Sequence, residues 1–431
     1  MRRTAAFRSV ALATLLLFAA SCVSTQLPPI SSQGSSFKPL KDEQGLWEES
    51  RDEEAKLLEK ARLYQDARLD AYLERVVARL NPPGMAANEH IRYQVRVIED
   101  PTLNAFAYPH GSIYVHTGLL ARMEDEDELA TVLGHEMTHV ENRHMLRYQR
   151  SAHNKEIGLA IAGVAAAVIV AVAEGDALDH GHWAQAEAID FFGNLLVGLG
   201  LQLAFIASVE GYGRGLEAEA DDGGFTKMAA AGYDLRQAPK LYEALLEDQG
   251  EPQKGVAFFF SSHPRLTERI AASKSYLAKH PGSPERTAGR DDDFARALQP
   301  VVREDARLNL QAGRLKVAEA EIAKARAWNP EDAGVHFLKG RLRLSQAETE
   351  KDDAAWRQLR GEAEDAFRAA IDLDARYAEA HRELGRLLDA RKDYRGACAQ
   401  FRRYLDLDPE ADDTGAVLDR VDELKRFGGC G

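Results

Sequence analysis

The sequence predicts a mostly helical chain in two parts: a helix-rich α+β domain with a small β-sheet, then an array of helix pairs. Three observations predict this. Helical apolar periodicity dominates, a stretch of alternating residues interrupts it at 91–116, and the last third repeats a pattern of about 34 residues. The 431 residues are 45% hydrophobic and 29% charged, which is enough apolar material for more than one core. A net charge of -14 argues against nucleic acid as a partner. Three Cys are too few for a disulfide framework.

At the N-terminus Arg2, Arg3 and Arg8 precede an apolar stretch, 10–20, too short to span a bilayer comfortably. Ala19-Ala20-Ser21-Cys22 follows and resembles a bacterial lipobox, with Ala19 where Leu is commonest. Residues 1–21 therefore read as a lipoprotein signal peptide, and Cys22 as the acylated first residue of the mature chain. The alternative is an ordinary signal peptide with an incidental Cys. Val23 follows the Cys in place of Asp, and by resemblance to bacterial lipoproteins that favours the outer membrane. Residues 22–41, rich in Ser, Gln and Pro, read as a flexible tether.

Residues 42–279 form the first domain. Most of 43–80 carries a helical apolar stripe that Asn81-Pro82-Pro83-Gly84 ends. Ile91, Tyr93, Val95 and Val97 alternate as a strand. Asn104 to Tyr108 and Ser112 to His116 flank the turn Pro109-His110-Gly111. Such a hairpin offers either an edge for an extended peptide or a purely structural pair, and spacing does not choose between them.

The organising stretch is His135-Glu136-Met137-Thr138-His139, within 124–149, a segment with no Pro and helical periodicity throughout. Four residues apart, the two imidazoles leave one face of a helix, which is how a zinc ion takes two nitrogens from one rigid element. Glu136, beside that face, is placed to act as general base. Two solvated surface His on a helix are the bland alternative. A third ligand is needed. His144 lies nine positions from His135, off the metal face, and reads as structural. Glu217 and Glu219, in Gly215-Leu216-Glu217-Ala218-Glu219-Ala220-Asp221, are both open on spacing alone. Asp221, one turn past Glu217, can accept the second ring N–H of a zinc His.

These residues, with Ser262-His263-Pro264, Asn104-Ala105-Phe106-Ala107 and the run from Ile113 to Leu120, resemble the zinc metallopeptidases related to the CAAX prenyl endopeptidases. The resemblance is greatest to the periplasmic BepA-like branch, which joins the peptidase to tetratricopeptide repeats. It covers roughly 53–278 and departs at His110, where the family usually has Gly. It implies a zincin-like fold and one zinc per chain held by His135, His139 and Glu217, with Arg214 nearby. It also places His263 at the active site, as a donor to the oxyanion or as an occupant of the metal's open position.

Two uncharged apolar runs, 157–173 and 191–207, lie between the candidate ligands. Each is at the lower limit for a membrane span, and with a lipid anchor present a non-spanning helical hairpin is the favoured reading.

Residues 280–293 read as a linker and 294–431 as repeats. Leu384-Gly385, Ala397, Phe401 and Pro409 follow the tetratricopeptide pattern. Ala318, Ile322, Ala325 and Pro330 match its second half, and Gly340, Ala363, Phe367 and Ala375 form a middle unit lengthened near 348–356. A plain helical bundle is the rival. Cys398 and Cys430 would pair in an oxidising compartment. The functional expectation is a periplasmic zinc endopeptidase for outer-membrane protein quality control. Its partners would be unfolded or misassembled polypeptides, outer-membrane assembly machinery through the repeats, and the membrane through Cys22. The rival is a chaperone or scaffold acting through the repeats, with proteolysis minor or latent.

Overall fold

Among the described residues helices predominate and one four-stranded sheet interrupts them. The computed structural model describes residues 23–155, 196, 199–207, 212–249, 266–282 and 290–430. The signal peptide, Cys22, the apolar run 157–173, residues 191–195 and 197–198 of the second apolar run, Ser262-His263-Pro264 and residues 283–289 of the linker lie outside the described residues. The described residues form two compact units. The second runs from 290 to 430 and takes in 99–101 and 120–122; the first holds the rest.

In the first unit, helices α1 (Lys41–Lys60) and α2 (Ala67–Leu80) replace the near-continuous helix expected over 43–80. Strand β1 (Leu63–Tyr64) separates them, and the Asp66 side chain starts α2 by accepting from the amides of Arg68 and Leu69. The short α3 (Pro83–Ala86) follows. Strands β2 (Gln94–Ile98), β3 (Ala105–Ala107) and β4 (Ser112–His116) complete the sheet in the order β1-β2-β4-β3. β3 and β4 are the antiparallel hairpin, with Phe106 opposite Tyr114. Gly111 makes the turn possible, because its φ is 107° and an added Cβ would meet the Arg92 carbonyl oxygen at 2.6 Å. His110 is satisfied locally: it stacks on Tyr108 and contacts Glu54 at 2.9 Å.

After α4 (Thr117–Arg122) comes α5 (Glu126–Glu141), the central helix. Asp125 caps it by accepting from the Glu128 amide, and Glu126, Asp127 and Glu128 sit in the first turn, where the helix dipole favours negative charge. The helix does not continue to 149. It breaks at Asn142–Arg143, and Arg143 stands at φ 60°, in the left-handed region. The cause is an ion pair rather than a breaker residue. The Arg143 guanidinium donates twice to the buried carboxylate of Glu43, which pins the backbone in that conformation. The chain turns helical again from His144.

The stretch read as a flexible tether is folded. Ile30 and Phe37, buried to 1% and 2% exposure, anchor it. The Asn154 side chain exchanges two hydrogen bonds with the Val23 backbone, and Arg150 donates to the Ser24 carbonyl. Composition misled because two apolar side chains and three external donors and acceptors suffice to hold a polar segment. The described end of the second apolar run includes α6 (Gln202–Phe205). There Leu196, Leu201, Leu203, Ala204 and Ala207 join a core with Leu57, Phe106, Tyr108 and Tyr114. Among the described residues no helix is long and apolar enough to cross a membrane. Helices α7 (Arg214–Ala230), α8 (Gln237–Gln249) and α9 (Leu266–Lys279) complete the unit.

The second unit is a succession of helices. These are α10 (Arg290–Gln311), α11 (Leu315–Trp328), α12 (Ala333–Thr349), α13 (Asp353–Leu373), α14 (Ala378–Ala390), α15 (Tyr394–Leu407) and α16 (Thr414–Arg426). The extra residues near 348–356 are absorbed by lengthening: α12 and α13 have 17 and 21 residues, against 13 and 14 in α14 and α15. Each of these pairs seats a Phe ring on a Gly. A Cβ on Gly340 would lie 2.4 Å from Phe367, and one on Gly385 2.6 Å from Phe401. Gly428, at φ 74°, ends α16, and the amides of Gly428 and Gly429 bond back to Lys425 and Leu424. That turn delivers Cys430 to Cys398, and the two form a disulfide. It closes a loop with a sequence separation of 32. Cys398→Ser is expected to lower the unfolding free energy of this unit by about 2–4 kcal/mol in denaturant titration. An unchanged midpoint, in oxidised and reduced wild type alike, would show that the bridge adds nothing.

Candidate active site

The site forms where α5 crosses α7, and glycines set the crossing. A Cβ on Gly224 would lie 3.0 Å from the His135 amide nitrogen, and one on Gly223 2.4 Å from Thr138. Only Gly lets the two backbones approach this closely. Lys227 locks the same crossing from its far end, with Nζ 2.6 Å from Glu141 and donating to Thr138 at 2.8 Å.

That approach brings Glu217, in the first turn of α7, to the two imidazoles. His135 Nε2 and His139 Nε2 are 2.9 Å apart, and Glu217 Oε2 lies 3.4 and 3.8 Å from them. All three residues are buried. A tetrahedral zinc with bonds of about 2.0–2.2 Å separates its ligand atoms by about 3.3–3.6 Å, so this donor set fits the ion after shifts of a few tenths of an ångström. Two imidazoles and one carboxylate leave a fourth position open. Among the described residues this is the one group of three such side chains close enough to share a metal. Glu136 is buried beside it at 2% exposure. Tyr212 closes the other side, with its amide donating to Glu217 Oε1 and its ring 4.6 Å from that of His139.

Asp221 lies where the spacing allowed, with Oδ1 2.9 Å from His135 Nδ1. It is buried, and a cation absent from the sequence reading balances it. Arg269, on α9, brings Nη2 to 2.6 Å from the same oxygen and donates from Nε to both carboxylate oxygens. The guanidinium also stacks over Tyr242 at 4.3 Å and donates to its hydroxyl. Burial would raise the Asp221 carboxyl, but Arg269 and His135 outweigh it and hold the group below its ordinary range. At His135 burial and Arg269 push the imidazole down, and hydrogen bonds to Asp221 and Glu217 overcome them, holding it up at about 9. The surroundings of His135 thus favour a positive charge, as a metal site requires.

Glu219 does not enter the cluster. It accepts from Arg147 and Asn142 on the other side of α7, and His144 chiefly, with Arg147, keeps its carboxyl at about 2. Arg214, implied to lie near the site, is exposed at the start of α7. His263 lies outside the described residues. The missed residue is Arg269. Its only trace in the sequence is a lone Arg on a helix whose neighbours are ordinary, six positions past His263.

Comparison with known proteins settles the family of this unit. Residues 65–277 match the family described as Peptidase family M48. Residues 65–277 belong to peptidase family M48. The matched segment holds the whole donor cluster, Asp221 and Arg269. The chain is 30% identical over 209 residues to the mitochondrial metalloendopeptidase OMA1 of Schizosaccharomyces pombe, covering 48% of this chain and 52% of that one. It is 32% identical over 181 residues to the Arabidopsis thaliana protein of the same name, covering 42% and 31%. To a putative beta-barrel assembly-enhancing protease of Vibrio cholerae it is 28% identical over 189 residues, covering 43% and 34%. The chain thus spans about half or less of the length of these curated relatives.

Proposed function

We propose that the chain is a zinc-dependent endopeptidase of the bacterial envelope. The observation that carries the reading is the convergence of His135, His139 and Glu217 beside a buried Glu136. Zinc held there supplies Lewis acidity toward a peptide carbonyl and toward a water. The chain's own groups do the rest. Glu136 takes a proton from the attacking water at a carboxylate oxygen and returns it to the leaving amine nitrogen. Asp221 keeps the His135 proton on Nδ1, so Nε2 carries the lone pair. β3 is an edge strand packed against α5, and supports an extended substrate lying alongside it. His263 is proposed as a donor to the oxyanion or as an occupant of the open position.

The second unit is proposed as tetratricopeptide-like repeats that dock polypeptides or an assembly machine. The recurring Gly–Phe seats of α12/α13 and α14/α15 support it. Acylation of Cys22, outer-membrane attachment and quality control of outer-membrane proteins complete the proposal. The test is cleavage of casein by the mature chain at one zinc per chain. Chelation is expected to abolish cleavage and added zinc to restore it. Cleavage that persists in metal-free protein would overturn the reading.

A further inference from the structure

The two imidazoles of the cluster are oriented by different partners, and only one partner is a carboxylate. His135 turns Nδ1 to Asp221. His139 turns Nδ1 to the Nδ1 of His144, 2.9 Å away. His144 is fully buried, at 0% exposure, and its ring packs 4.9 Å from that of His139. Its other nitrogen, Nε2, faces Glu219 Oε1 at 3.6 Å. Glu219 is fixed in turn by Arg147 Nη1, 2.8 and 2.9 Å from its two oxygens, and by Asn142 Nδ2 at 2.9 Å.

Proton bookkeeping along this line has one solution. If His139 gives its Nε2 lone pair to a cation, its proton is on Nδ1. The atom facing that proton, His144 Nδ1, must then carry a lone pair. The His144 proton is therefore on Nε2, directed at an acceptor-only carboxylate. The left-handed turn at Arg143 makes this possible. A continuous helix would carry His144 off the face, whereas the break pinned by Glu43 returns it to the back of His139.

We infer that His144, backed by Glu219 and Arg147, is the positioning residue for His139, setting its tautomer and ring orientation for metal binding. This rests on the metal reading above. A neutral imidazole accepts more weakly than the ionised Asp221, so the two ligands are unequal, with His139 the less basic of the pair.

The test uses the full mature chain. Zinc affinity is measured by chelator competition, and the cobalt-loaded protein gives a visible spectrum of the site. His144→Leu is expected to weaken zinc binding about 10–100-fold and to shift the cobalt bands. His144→Gln keeps an acceptor toward His139 and is expected to restore affinity and bands most of the way to wild type. Glu219→Ala, at a half-exposed position that does not threaten folding, is expected to weaken zinc in the same direction by less. Zinc affinity in Glu219→Ala and in folded His144→Leu within about threefold of wild type would overturn the role. So would a His144→Gln protein no better than His144→Leu. Wild-type protein that takes up no zinc would instead sink the functional reading, and this role with it.

Discussion

Arg269→Leu is expected to destabilise the first unit by about 3–5 kcal/mol, because it strands a buried carboxylate. Asp221 is 3% exposed and takes three donor contacts from this one guanidinium. Among its named contacts only His135 can replace it, because that imidazole is held up at about 9, so the full loss appears where His135 is neutral. Denaturant titration of metal-free protein above about pH 9 measures it, and the loss at neutral pH is smaller. The pH dependence identifies the cause. In wild type the Asp221 carboxyl is held down, so its contribution is present above the ordinary aspartate value of about 3.9 and fades as pH falls through the lowered value. The variant lacks that contribution, so its deficit should shrink below about pH 4. Adding Asp221→Asn should recover much of the stability, since no charge is left stranded. Zinc affinity should stay about 10–100-fold low, since an amide holds the His135 N–H less well. A single variant within about 1 kcal/mol of wild type would show that water or another group reaches Asp221.

The two imidazoles of this site were legible because their spacing is periodic: His135 and His139 share a helix face by arithmetic. Spacing left Glu217 and Glu219 both open, and only the family resemblance implied Glu217, with Asp221 one turn past it. The sheet hairpin was legible from alternation and a turn. What was not legible depends on long-range pairs. Arg269 reaches Asp221 across 48 positions, and no spacing rule connects them. The break at Asn142–Arg143 is held by Glu43, 100 positions away, in a segment with no Pro and helical periodicity throughout. Spacing on an ideal helix puts His144 off the metal face, whereas the break seats it behind His139. Gly134, Gly223 and Gly224 were visible but unread, since a helix crossing shows its need for small residues only once both helices are placed. The N-terminal segment failed for a different reason: composition averages over 20 residues, and Ile30 and Phe37 decide the outcome.

Glu136→Gln is expected to lower turnover on casein by about 10²–10⁴-fold while leaving zinc content at the wild-type level. The side chain keeps its size, and the three donor atoms are on other residues, so the metal site is not disturbed. What is lost is the carboxylate that accepts the water's proton, because an amide oxygen is far too weak a base for that step. The loss should fall on kcat, with KM little changed, since Glu136 acts on the reacting water rather than on the bound chain. Activity within about tenfold of wild type would remove Glu136 from the role of base and force a search for another carboxylate near the cluster. In cells the same variant separates the two readings of the chain. Under the peptidase reading it behaves as a deletion, or worse, by holding substrates it cannot cut. A full rescue by Glu136→Gln would move the function to the helix pairs of the second unit and leave the metal site as a latent or secondary activity.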